Sequence, residues 1–135
     1  MIGYTTLGSN NLSRSGSFFD AVLGVLGAER CCSEPHLLGW RFPAGGTEFY
    51  VLAPYDKLSA SPGNGAMIGL HATTPAAVAA VHAQALACGG TDEGAPGPRP
   101  YSSGFFAAYF RDPEGNKLNA FCVVNTAEPA ARREV

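Results

Sequence analysis

Few side chains in this 135-residue chain have the chemistry to act alone, and their spacing narrows the field further. The three histidines, His36, His71 and His82, are scattered, and no HExxH, nucleophile elbow or Ser-His-Asp order links them. His71 sits in an apolar run and has two readings, a general base at a pocket rim or a strand histidine bonded to backbone. His82 falls beside an apolar helical stripe and reads as packed, and His36 follows Pro35 in a turn without a partner. Cys31, Cys32, Cys88 and Cys122 show no CxxC spacing and read as small apolar fillers in a reducing compartment. Pro62-Gly63-Asn64-Gly65 is turn chemistry and not a phosphate loop, because no helix follows within reach.

Aromatic residues are the richer signal. Trp40, Tyr101, Phe105, Phe106, Tyr109 and Phe121 cluster in or near short strand-like runs. They divide between core and the lining of an apolar pocket for a planar ligand. Tyr101, with Arg99 and Ser102-Ser103, lies in a loop before a strand and is expected to touch ligand.

Composition sets the frame for these residues. With 46% hydrophobic and 15% charged residues the chain can fill a core, and its length fits one domain. A net charge of −2 argues against capture of nucleic acid, which needs a basic face. No run approaches the ~20 apolar residues of a membrane helix, and the start lacks the basic-then-apolar order of a secretion signal. A cytoplasmic location is expected.

Periodicity then supplies the elements that must position the aromatics. Residues 2–9 read as a strand, and Ser13 as the cap of a helix from Arg14 that buries Phe18, Phe19, Val22, Leu23 and Leu26. Gly27 fits a left-handed helix end. Strands are expected near 29–33, 37–42 and 47–52, and residues 53–64 read as a linker. The plan then repeats: strand 66–73, Thr74-Pro75 opening a helix that buries Val78, Val81, Ala85 and Leu86, and strands 105–111 and 117–124. Residues 91–100 read as loop with at most a short strand, and 125–135 as a tail. Thr5-Thr6-Leu7 and Ile68-Gly69-Leu70 lie 63 apart, and Arg41-Phe42-Pro43 and Arg111-Asp112-Pro113 lie 70 apart. The fold class expected is therefore α+β, with two βαβββ repeats (1–52 and 65–124) whose curled mixed sheets surround a central cavity.

Asn11-Leu12-Ser13-Arg14-Ser15 with Phe18-Phe19, the stretch Phe106 to Asn116, and Gly89-Gly90 followed by Gly94-Ala95-Pro96-Gly97 and Arg99-Pro100 occur together and in order. In these motifs the chain resembles the vicinal oxygen chelate superfamily of glyoxalases, bleomycin-resistance proteins and extradiol dioxygenases. That resemblance implies a divalent metal held by His on the first strand and Glu on the last strand of each half. Matching the motifs puts these positions at Tyr4, Phe49, Met67 and Asn119, and the 63- and 70-residue offsets agree. Phenylalanine cannot bind a metal and a thioether is a poor ligand for hard or borderline cations. Glu48 is expected on the opposite face from Phe49, and His71 lies ~13 Å along the strand from Met67.

No metal and no cofactor is therefore expected. The ligand-binding set read from the sequence is Tyr4, Phe49, Met67, His71, Tyr101, Tyr109, Asn119 and Phe121. The expected function is small-molecule binding of the bleomycin-resistance kind, with an apolar or aromatic ligand. The alternatives are a metal-independent enzyme using Tyr4, Asn119 or His71, and a metal-dependent lyase or dioxygenase. A homodimer is expected, since open curled sheets leave edges and apolar surface to cover.

Overall fold

The computed structural model of the chain describes residues 1–125. The expected tail with Arg132-Arg133 lies, after Asn125, outside the described residues. Each half runs strand, helix, three strands: β1 (Tyr4–Gly8), α1 (Leu12–Gly24), β2 (Glu29–Glu34), β3 (Leu37–Arg41) and β4 (Glu48–Leu52), then β5 (Ile68–His71), α2 (Pro75–Ala87), β6 (Thr91–Pro98), β7 (Phe105–Arg111) and β8 (Lys117–Val123). The sheets have matching orders, β1-β4-β3-β2 and β5-β8-β7-β6. In each, the first strand pairs parallel with the last and the remaining pairs are antiparallel. The fold is α+β with two similar halves, as expected. The two sheets do not close on one another, since every strand pair joins strands of one half.

Local chemistry sets the helix ends. Asn11, not Ser13, caps α1, because its side-chain oxygen is the one that accepts from Arg14 N, at 3.0 Å. Thr74 caps α2 by accepting from Ala77 N at 3.1 Å, with Pro75 at the first helical position, as the sequence implied. Gly27 takes φ +87°, and Ala28 N beyond it bonds Leu23 O. Residues 91–98 form a full edge strand instead of a loop. Gly94, Pro96, Gly97 and Pro98 mask it in the sequence, and an edge with irregular register tolerates them.

Each helix covers one face of its own sheet, and one buried cluster joins the halves. Phe18, Phe19, Val22 and Leu23 of α1 meet Val78, Val81 and Ala85 of α2, with Trp40, Phe49 and Val51 from one sheet and Phe110, Leu118 and Ala120 from the other. Phe18 reaches Phe110 across the junction at 6.4 Å between ring centres. On the surface of α1, Asp20 accepts from Arg30 through both oxygens (3.0 and 2.7 Å) and from Trp40 Nε1 (2.9 Å).

A polar clamp makes the second tie between halves. Glu114, in the turn between β7 and β8, accepts from Arg14 Nη2 (2.8 Å), Ser9 Oγ (3.2 Å) and Asn10 Nδ2 (3.2 Å) at the start of α1. Burial pushes its carboxyl up, but the bonds from Asn10, Arg14 and Ser9 and the Arg14 charge outweigh this and hold it below the usual glutamate range. Asp112 organises the same turn by accepting from Glu114 N, Asn116 N and Asn116 Nδ2, and burial raises its pKa. Asn116 Nδ2 also donates to Gly8 O in β1.

Candidate functional site

The strand registers decide which side chains share a face. In the first half Thr5 and Leu7 lie beside Phe49 and Val51, toward the helix. Tyr4 and Thr6 lie beside Glu48 and Tyr50, on the open face. In the second half Ile68 and Leu70 lie beside Leu118 and Ala120, so Gly69 and His71 share the open face with Asn119 and Phe121. Phe49 therefore corresponds to Leu118, and Tyr50 to Asn119. The expectation that Phe49 faces the same way as Tyr4 is wrong. Phe49 is 3% exposed and its ring lies 4.9 Å from Phe19 and 6.2 Å from Trp40.

The cause is one residue. The turn after β3 holds residues 42–47, whereas the turn after β7 holds residues 112–116. The offset of 70 that relates Trp40 to Phe110 falls to 69 beyond the turn, and a slip of one reverses the face. Counting the two turns in the sequence would have given Tyr50 and put Glu48 beside Tyr4.

On the first open face, Tyr50 Oη donates to Glu48 Oε1 at 2.7 Å. That bond, with burial and the Glu48 charge, pushes the Tyr50 phenol up to about 12. Tyr4 meets the Tyr50 ring edge-on at 5.7 Å. Tyr50 lies over β3, where a Cβ on Gly39 would clash with its ring.

The second open face is arranged differently. His71, Phe121, Phe105 and Tyr101 form a row of rings with centre distances of 5.3, 5.6 and 6.0 Å. Two cations approach the Tyr109 ring, Arg99 at 5.4 Å and Lys117 at 5.7 Å from its centre. Asn119 is 3% exposed, and its Oδ1 has no hydrogen-bond partner among the described residues. Tyr101 and Met67 are well exposed.

A cavity of about 460 Å³ lies where the halves adjoin, walled by residues from β1, the turn before β4, β4 and β5. It brings together Phe49, Met67 and His71 of the expected set, with Thr5, Glu48 and Leu70. Tyr4, Tyr101, Tyr109, Asn119 and Phe121 lie outside its walls. The buried Thr5 hydroxyl, on this wall, also has no partner among the described residues. His82 is packed as expected and bonds Asp92 at 2.9 Å, and Gly94 N and His82 together lower the Asp92 pKa. All four cysteines are free thiols, and burial raises the pKa of Cys122.

Residues 1–120 match the sequence profile of the Glyoxalase/Bleomycin resistance protein/Dioxygenase superfamily. The chain belongs to that superfamily. It is similar to a glyoxalase/bleomycin resistance protein from Albidiferax ferrireducens T118, at 36% identity and TM-score 0.81 over 90% of this chain and 98% of that one. A glyoxalase/bleomycin resistance protein/dioxygenase family enzyme from Burkholderia phytofirmans PsJN shares the fold at 19% identity and TM-score 0.73, covering 90% and 98%. So does a lactoylglutathione lyase from Agrobacterium tumefaciens, at 18% identity and TM-score 0.66, covering 90% and 92%. Among curated proteins no match is found.

The superfamily's metal positions, corrected for the register, fall on Tyr4, Tyr50, Met67 and Asn119. A phenol tied to Glu48, a second phenol, a thioether and an amide do not fit a divalent first-row metal, which takes imidazole, carboxylate or thiolate. Glu48 is a carboxylate beside Tyr50, and among the described residues no three His, Cys, Asp or Glu side chains stand together as a metal cluster. No helix among the described residues is long and apolar enough to cross a membrane.

Proposed function

We propose that this superfamily member is a small-molecule-binding protein that works without the metal, taking an apolar or aromatic ligand. The observation that carries this reading is the row of rings from His71 to Tyr101 on an open sheet face, beside metal positions that hold no metal-binding set. Aromatic faces of this kind bury a planar ligand with little loss of side-chain freedom. The ligand set on this reading keeps Tyr4, Met67, His71, Tyr101, Tyr109, Asn119 and Phe121, and adds Tyr50. Phe49 contributes only to the wall of the junction cavity. The working form is a cytoplasmic homodimer, in which a second copy covers the unpaired edges of β1 and β5.

Glu48 and Tyr50 support a second reading, a metal-independent enzyme. A carboxylate accepting from a phenol at 2.7 Å has the geometry of a proton-transfer pair. Binding is preferred because the Tyr50 phenol, pushed up to about 12, holds its proton tightly at neutral pH.

The test is thermal denaturation with a panel of neutral planar aromatic compounds and, separately, excess zinc, nickel, manganese or ferrous ion. Aromatics raise Tm and metals leave it unchanged, because a ligand stabilises only by binding the folded state. Tyr101→Ala blunts the aromatic response. About one tightly held transition metal per purified chain would overturn the reading, and light scattering giving a monomer mass would remove the dimer.

A further inference from the structure

A second cavity, of about 550 Å³, adjoins the junction cavity, and Met67 belongs to the walls of both. The rest of its wall comes from residues 62–66, at the end of the linker, and from Arg111 and Lys117. These two cations pair directly across β7 and β8, and Lys117 lies beside Met67 because Ile68 pairs with Leu118. Among the described residues no acid lines this cavity. Arg111 directs Nε to Glu93 at 3.4 Å and donates through Nη1 to Gly115 O at 2.8 Å, while its Nη2 bonds no described residue. Lys117 has no carboxylate partner among those residues. Two half-buried cations offset by one carboxylate leave a single positive charge, and an anion in the cavity would balance it. The junction cavity has the opposite character. Ile2, Leu26, Phe42, Phe49 and Leu70 give it apolar walls, and Glu48, the acid among them, already accepts from Tyr50 at 2.7 Å.

Resting on the small-molecule reading above, we propose that the two cavities form one site for an apolar carboxylic acid. The carboxylate lies between Arg111 and Lys117, and the hydrocarbon body passes Met67 into the junction cavity. A carboxylate matches the single net charge, whereas a phosphate dianion would be only half compensated. Met67 suits the passage, since its flexible, unbranched side chain is 47% exposed and can turn aside without disturbing the core. His71 walls the junction cavity as well, which joins this site to the row of rings.

The probes are the straight-chain acids from butanoate to octanoate, measured by calorimetry beside octanamide and octyl phosphate. Affinity rises about fourfold with each added methylene, the return for burying it. A flat series would leave the tail in water and overturn the proposal. Octanoate binds about tenfold or more tightly than octanamide, and the margin shrinks as salt is raised. Lys117→Gln and Arg111→Gln each reduce that margin. Met67→Glu sets a carboxylate where the cavities meet and abolishes octanoate binding. Lys57→Gln, exposed in the linker and outside both walls, leaves the margin unchanged, which separates a local contact from a loss of net charge. If octanamide binds as tightly as octanoate while neutral planar aromatics still raise Tm, this inference falls alone, and if none of them binds, both fall. Tighter binding of octyl phosphate than of octanoate would overturn the carboxylate. The ligand series is read on the unaltered protein, so a poorly folding variant does not obscure the result.

Discussion

The two halves share topology, pairing pattern and an apolar helix-facing side, yet their open faces have taken opposite courses. In the first half the polar groups satisfy one another, Tyr50 on Glu48, and the Tyr50 ring closes the space above Gly39. In the second half the equivalent of Tyr50 is Asn119, whose Oδ1 has no partner among the described residues above Gly69, with Arg99 and Lys117, neither paired with a carboxylate among those residues, and a row of rings on the same face. The helix-facing side is constrained by packing, so Trp40 and Phe110, or Phe49 and Leu118, remain large and apolar. The open side carries no such demand. A duplicated fold can therefore specialise one face of one half while the other half stays closed.

The sharpest way to break this comparison is Phe49→Glu against Tyr50→Phe. The first places a carboxylate among Phe19 and Trp40 and should cost more than about 4 kcal/mol in urea unfolding, or prevent folding. The second removes one hydrogen bond and should cost about 1 kcal/mol. Equal effects would mean that Phe49 does not face the helix and that the register of β4 is wrong.

The clamp gives an intermediate effect. Glu114→Gln should cost about 1–3 kcal/mol at neutral pH, through weakened bonds to Ser9, Asn10 and Arg14. Because the folded pKa of Glu114 is lowered, its contribution is present above the unfolded value and is lost as pH falls through the folded one. The gap between wild type and variant should close in acid. A gap independent of pH would detach the clamp from ionisation.

The smallest signal is spectroscopic. Tyr50 holds its proton to about 12, so its stabilising contribution persists below the ordinary phenol value and is lost as pH rises through the raised one. The difference in phenolate absorbance between wild type and Tyr50→Phe should rise near pH 12. A step near the ordinary value would show that Glu48 does not hold the phenol.

Much of the fold was legible because periodicity and capping report local physics. Phe18, Phe19, Val22 and Leu23 mark a buried stripe, and Thr74-Pro75 marks a helix start. Edge strand β6 was not legible, since its glycines and prolines satisfy only the weak demands of an edge. The faces of the candidate residues were only partly legible. Met67, His71, Tyr101, Tyr109, Asn119 and Phe121 sit on strands or loops whose faces follow from alternation. Phe49 was misplaced because a turn of six residues balances a turn of five only if the count is made, and alternation carries no memory across a turn. The cations around Tyr109 were invisible as a pair, since Arg99 and Lys117 are brought together by strand pairing across β6, β7 and β8.

The clamp also bears on how this chain can be cut and rejoined. The start of α1 is completed by Glu114, a residue 100 positions later in sequence. Each half therefore leans on the other for part of its helix start and part of its core. A gene fragment encoding residues 1–52 would lack the anion that holds Arg14 and the Phe110 surface that Phe18 meets. Heat or denaturant should melt both halves in one cooperative transition. New chain termini, as in a circular permutant, belong in the 53–64 stretch away from Ala60, which Asn10 holds through two hydrogen bonds.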